Sequence, residues 1–321
     1  MITAGLTTDH STIPPNQADT MLWQTRASLP YGVAGFAHGS IDSHPVIAGG
    51  TRWENDSKIT LTDRRRYDAS TDTWNEEPPL SRPFAFGPFG VHGGRLVLLG
   101  GDDGERTRAD GLGGVTDRAL PDSVAYAGSA ILSGKIYVLG GTADLRNLAR
   151  STDHFFCIDL TTGKAESLPA FPDGPVIHAA LVALGDNLFA FTGGHWDASA
   201  QKLVNTAAAW CYSPIRRAWV PLANYPRATR GLGAQIVDAR YVLLAGGDAN
   251  PGVTGDCFLY DTKENRYSAL PPLPVSAMLI GLINDGEFLY AAGGEDRARH
   301  RSVAFYRASI RQILATAGIR P

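Results

Sequence analysis

Apolar residues along this chain come in short runs that stop at paired glycines. "PVIAGG", "LVLLGG", "IYVLGG", "LFAFTGG", "YVLLAGG" and "LYAAGG" end at Gly49–Gly50, Gly100–Gly101, Gly140–Gly141, Gly193–Gly194, Gly246–Gly247 and Gly293–Gly294. The pairs return at intervals of 51, 40, 53, 53 and 47 residues. Short apolar runs bounded by turn residues predict β-strands, and their regular return predicts a repeat architecture. Two adjacent glycines at a strand end permit a backbone path closed to residues with a Cβ and let neighbouring chains come close. A segment of small residues precedes each pair, as in "GVAGFA", "AYAGSA", "RGLGAQ" and "LIGLIN". A further strand with an aromatic and a turn follows several of them: "RRYDASTDTW", "FFCIDLTTGK", "WCYSPIRRAW" and "FLYDTKENRY". A Pro-rich link then leads into the next unit, giving four strands per unit with turn chemistry between them. Trp74, Trp219 and Tyr267 stand at matching places before the link and are expected to pack between units.

This pattern resembles the kelch motif. The resemblance implies an all-β fold, a six-bladed β-propeller of four-stranded antiparallel blades around a channel. It covers Trp23 to about Ala308. The second unit departs from it, with no "YD…W" signature, so its outer strands are expected to be short or irregular. The last unit lacks a fourth strand after "SVAFYRA", and "MLWQTRASLP" near the N-terminus supplies one, which would close the ring and pair both edges. The organisation expected is an extension over residues 1–20, a propeller over 21–308 and a short helix over 309–321.

Composition narrows the function. The net charge of -3 and 19% charged residues give no basic excess, which argues against nucleic acid and an anionic membrane as partners. The first twenty residues are polar and no run of 18 apolar residues occurs, so a cytoplasmic protein is expected, or a periplasmic one if a leader was removed. Cys157, Cys211 and Cys257 share no metal-ligand spacing and are expected as buried, reduced thiols; the eight histidines show no paired spacing. No metal and no organic cofactor is expected.

The candidate site lies where the loops after the glycine pairs converge with the starts of the inner strands. Taking the residue before the small one in each inner strand aligns Ala34, Phe86, Tyr126, His178, Arg230 and Ile280. Arg230 there needs an anionic partner, and His178 could shuttle a proton or be held by hydrogen bonds. The acids after the glycines could equally cap their own turns. Beyond the generic repeat, "LPYGVAGFAHG…PVIAGGTRWENDSK" and "GGDDGERTRAD" resemble blades of the N-acetylneuraminate epimerases, the sialic acid mutarotases, in a cyclically permuted branch. The resemblance implies cofactor-free anomer exchange by acid/base chemistry on N-acetylneuraminate or a related sugar. The family's loop G-E-x-x-P-G-x-R is matched by "GGDANPGVTGD": Asp248 stands for the glutamate, Pro251 and Gly252 match, and Thr254 replaces the arginine. On that reading Asp248, Arg230 and His178 are catalytic, while Glu54, Asn55, Asp102, Tyr126, Glu295 and Arg297 bind substrate. The alternatives are a non-enzymatic kelch binding module, with a protein partner or a sugar ligand, and a lyase or cyclase on the same ring. Trp53 and Trp196 in the loops keep the binding module open as an alternative.

Overall fold

A computed structural model describes residues 22–112 and 120–319. Six antiparallel sheets stand around a central channel, and the inner strands are Ala37–Ile41, Phe89–His92, Gly128–Leu132, Ala180–Leu184, Gly233–Ile236 and Gly281–Asn284. Blade 1 adds His44–Ala48, Arg64–Asp68 and Thr73–Glu77 in the expected order. Blade 2 carries three strands among the described residues, its third reduced to Gly111–Leu112, which matches the irregularity expected there. The ring closes as the sequence implies. Gln24–Thr25 pairs with Phe305–Ser309 of blade 6, Gln24 opposite Arg307 and Thr25 opposite Tyr306. Trp23, 3% exposed, is sunk beside Leu259, Leu282 and Ile313 of the short helix Ile310–Thr316. The extension expected over residues 1–20 lies outside the described residues.

The glycine pairs join the blades. The N–H of Gly50, Gly101, Gly141, Gly247 and Gly294 each donates to a carbonyl of the following blade at 2.7–2.9 Å, and Gly193 does so in blade 4 at 3.0 Å. The bond from Gly294 to Val33 joins blade 6 to blade 1. This approach requires glycine. A Cβ on Gly140, at φ +65, would stand 2.3 Å from the Val176 carbonyl oxygen. Blade 4 departs from the expected ending. Its second strand bulges at Thr192 and runs on from Asn187 to Asp197, so the hairpin with Lys202–Ser213 rises beyond the sheet. Farther out, Trp74, Trp219 and Tyr267 donate to the carbonyls of Ala27, Pro169 and Ala223 in the preceding links, at 3.1, 3.1 and 2.9 Å. Their packing between units is therefore reinforced by a directed hydrogen bond.

Side chains of the inner strands stack around the ring rather than across the channel. Val91 fills the space over Gly39, Ile131 over Gly90, Leu282 over Gly233, and Phe36 with His38 over Gly281. The channel wall is consequently made of strand edges. Ser129 bridges to both backbone groups of Phe89 at 2.9 Å, and Gln235 and Asn284 cross-link the inner strands of blades 5 and 6.

Candidate functional site

The end that bears the post-glycine loops is separated from the channel by a ring of six residues, one per blade: Gly35, Phe86, Tyr126, His178, Gly231 and Leu279. All six have φ between 55 and 69. Consecutive members are tied by N–H to carbonyl bonds of 2.7–3.0 Å running from Phe86–Gly35 to Leu279–Gly231. Left-handed backbone at Phe86, Tyr126, His178 and Leu279 costs about 1–3 kcal/mol each and persists because the annulus over-determines it. Phe86 covers Gly35, whose Cβ would stand 2.2 Å from its ring, and Met278 and Leu279 cover Gly231. The Phe86 and Tyr126 rings meet edge to face at 5.0 Å, and Tyr126 and His178 lie 4.0 Å apart. The result is a plug. Burial pushes the Tyr126 phenol up to about 12, with the Asp102 carboxylate adding to the shift. Burial, then the Arg230 charge, lowers His178 to about 3, so its imidazole is neutral.

The alignment expected at this level needs correction. Phe86, Tyr126 and His178 are equivalent, but Ala34 and Arg230 precede the ring position and Ile280 follows it. Arg230 lies one residue nearer the loops, in an isolated bridge with Asp248: each N–H donates to the other's carbonyl, at 3.0 and 2.9 Å. Arg230 does not face the channel as expected; it turns to Asp248 and forms an ion pair with it, the two side chains 22% and 18% exposed. Its other nitrogen donates to Asn205 Oδ1 at 2.7 Å, and Asn205 Nδ2 donates to the Asp248 carbonyl at 2.7 Å. Acid, cation and amide thus satisfy one another.

The remaining candidates fall into two groups. Asp102 and Glu295 occupy the same bridge position as Asp248 in their own blades, above Tyr126. Asp102 is 7% exposed and accepts the Gly104 N–H at 3.1 Å, the turn-capping role weighed for these acids. Glu295 pairs with Arg301, which is buried and also reaches Thr51 Oγ1 at 3.3 Å. Glu54, Asn55 and Arg297 stand apart, on exposed hairpins. Glu54 pairs with Arg52, Asn55 forms the turn between Thr51–Glu54 and Ser57–Thr60, and Arg297 is 70% exposed on the hairpin Glu295–Arg297/His300–Arg301. These two hairpins meet, with Arg299 over the Trp53 ring at 5.6 Å and 3.7 Å from Asp56. Sequence reasoning missed Arg301 and Asn205. Asn205 acts on Arg230 and Asp248 in the next blade, which no local spacing marks; Arg301 faces Glu295 across its own hairpin and reaches Thr51 in the first blade.

Cys157 and Cys257 are buried, Cys211 is half-buried and all three are free; burial pushes the Cys257 thiol up to about 12. Among the described residues no set of three His, Cys, Asp or Glu side chains comes together in a way that could hold a metal ion. Among them no helix is long and apolar enough to cross a membrane.

Comparison with known proteins places this geometry. A kelch motif is matched over residues 123–169, which make up blade 3 and its outgoing link. The chain is 24% identical to Kelch-like protein terF of Aspergillus terreus over 265 residues, 81% of this chain and 49% of that protein. It is 24% identical to Kelch-like protein 40 of Xenopus tropicalis over 60% of this chain and 30% of the relative. With Kelch-like protein 22 of Mus musculus it shares 33% identity over 104 residues, 32% of this chain and 16% of the relative. The chain spans half the length or less of these curated relatives. The chain is thus a six-bladed β-propeller that carries a kelch motif in its third blade and is similar to kelch-like proteins over most of its length.

Proposed function

We propose that this protein is a non-enzymatic binding module and that it meets a protein partner with the loop end of the propeller. One observation carries the reading: Asp248 and Arg230, the acid and cation nearest to a catalytic pair, are spent on each other and on Asn205. A general base has to be free to take a proton, and an anion clamp has to be free to hold a carboxylate. The neighbouring Glu295 is likewise engaged by Arg301. What projects beyond these pairs is an uneven rim. It consists of the Trp53 and Arg297 hairpins and the raised hairpin of blade 4, whose Val204 is 42% exposed. Loops held by a rigid ring and carrying aromatic and arginine side chains suit protein recognition. The kelch relatives support the same reading.

The test is cross-linking of the intact protein in extract of its own cells, with partners identified by mass spectrometry. Trp53→Ala and Arg297→Glu at the loop end should lose a partner that Arg95→Glu, beside the turn Gly93–Gly94, retains. Equal loss from both ends, or no partner with either, contradicts the reading. A sugar mutarotase is the second reading, favoured by the adjacency of Asp248 and Arg230. A substrate carboxylate would there displace Asp248 from the guanidinium and free it as the base.

A further inference from the structure

The annulus turns the central channel into a blind pocket. Its cavity of about 470 Å³ reaches Phe86, Tyr126, His178 and Leu279 at one end and takes in none of the bridge residues above them, neither Asp102 nor Asp248 nor Glu295. At the other end Ser40, Val91, Ile131, Ala183, Ile236 and Asn284 are partly exposed, so the pocket opens between the hairpin turns. The volume lies within the range of about 300–1,000 Å³ typical of small-molecule sites.

The wall has a definite chemistry. Unbroken stretches such as Ala179–Ala183 and Gly231–Ile236 line it, as expected where a strand presents its edge and not a face. Each inner strand is paired on one side only, so its free edge offers N–H and C=O groups to the axis. The side-chain bridges from Ser129, Gln235 and Asn284 take up only part of that set. The described lining residues include no Asp, Glu, Lys or Arg. His38 lines the pocket against the Phe89 ring at 4.6 Å, and its buried Nδ1 has no hydrogen-bond partner. An ion entering this pocket would shed water without meeting a counter-charge, which is costly; a neutral hydrogen-bonding molecule would not.

We propose that the pocket binds an uncharged small molecule, a one- or two-ring body carrying amide-like donors and acceptors, admitted from the turn end. Strand edges satisfy its polar groups, and the Phe89 and His38 rings flank its apolar part. This site is separate from the loop end, so its fate does not decide the partner reading. The experiment is a titration of ¹⁵N-labelled full-length protein with two matched pairs, benzamide with benzoate and 1-naphthamide with 1-naphthoate, followed by amide shifts. The expected result is that the amides perturb Gly39, Gly90, Gly128 and Gly233, leave Arg297 and Trp53 unmoved, and bind at least about tenfold more tightly than the carboxylates. No inner-strand shift up to the solubility limit, carboxylates matching their amides, or shifts confined to the loops would each overturn the proposal.

Discussion

Gly134, in a hairpin turn of blade 3, has φ +74 and nothing within 4 Å of where a Cβ would stand. Six residues on, Gly140 has φ +65, and there a Cβ would stand 2.3 Å from the Val176 carbonyl oxygen. The same residue with the same backbone shape serves two ends of the propeller differently. At the turn end it lets the chain reverse in open space; at the loop end it lets one blade rest on the next. Charge divides the same way. Ion pairs crowd the loop end above the plug, while the pocket below it has no charged wall residue. The loop end is thus where blades are locked and polar groups presented. The turn end is held by packing, including the seating of Trp23, and by ion pairs of the outer strands such as Arg240–Asp261 and Arg26–Asp72.

The largest effect expected comes from that seating. Trp23→Ala should cost about 3–5 kcal/mol, as for other buried aromatics. Removing residues 1–27, which takes the closing strand too, should abolish cooperative melting. An unchanged melting curve would mean that the ring does not depend on this closure. Next comes the glycine pair. Gly140→Ala should cost about 2–4 kcal/mol through strain and blade displacement, and Gly134→Ala about 1 kcal/mol through its backbone alone. Equal losses in denaturant titrations would erase the distinction between the ends. Asp248→Asn leaves a partly buried guanidinium short of its counter-charge and should cost about 1–2 kcal/mol, between exposed and buried pairs.

The last effect, absent near neutral pH, is a pH dependence. Burial lowers His38 to about 4, and burial with Arg230 nearby lowers His178 to about 3, against 6.5 for an ordinary histidine. Between those limits the unfolded chain binds protons that the folded chain refuses, so stability falls as pH drops below about 6.5 and levels off near the folded values. His38→Gln should flatten the upper part of that slope, from about pH 6.5 to 4, in melts at stepped pH; an unaltered slope would mean the imidazole is not held neutral.

Much of the fold was legible because its cause is periodic. A glycine pair is needed wherever a blade lies against its neighbour, so the sequence repeats it, and the closing strand could be found from the unit that lacked one. The inner-strand alignment slipped for a physical reason. It took the residue before the small one as the ring position, but in blades 1 and 5 the ring residue is itself the glycine, Gly35 or Gly231, which makes room for a neighbour's side chain. In blade 6 the residue after Leu279 is Ile280 and not a small one, so the anchor moved to Gly281. The adjacency of Asp248 and Arg230 follows from their sharing a blade. Asn205 and the blind end of the channel were not legible, because they depend on contacts between blades that leave no mark in a single repeat; Arg301 was passed over although it faces Glu295 within one hairpin.

The most direct measurement is exchange between sugar anomers, followed by NMR with the intact protein on N-acetylneuraminate and a panel of neutral aldoses. With Asp248 and Arg230 closed on each other, the expected result is exchange at the rate of buffer alone for every sugar. Acceleration by the intact protein that drops about 10²–10⁴-fold in Asp248→Asn, the usual contribution of a positioned acid/base group, would contradict the binding-module account and establish the mutarotase in its place.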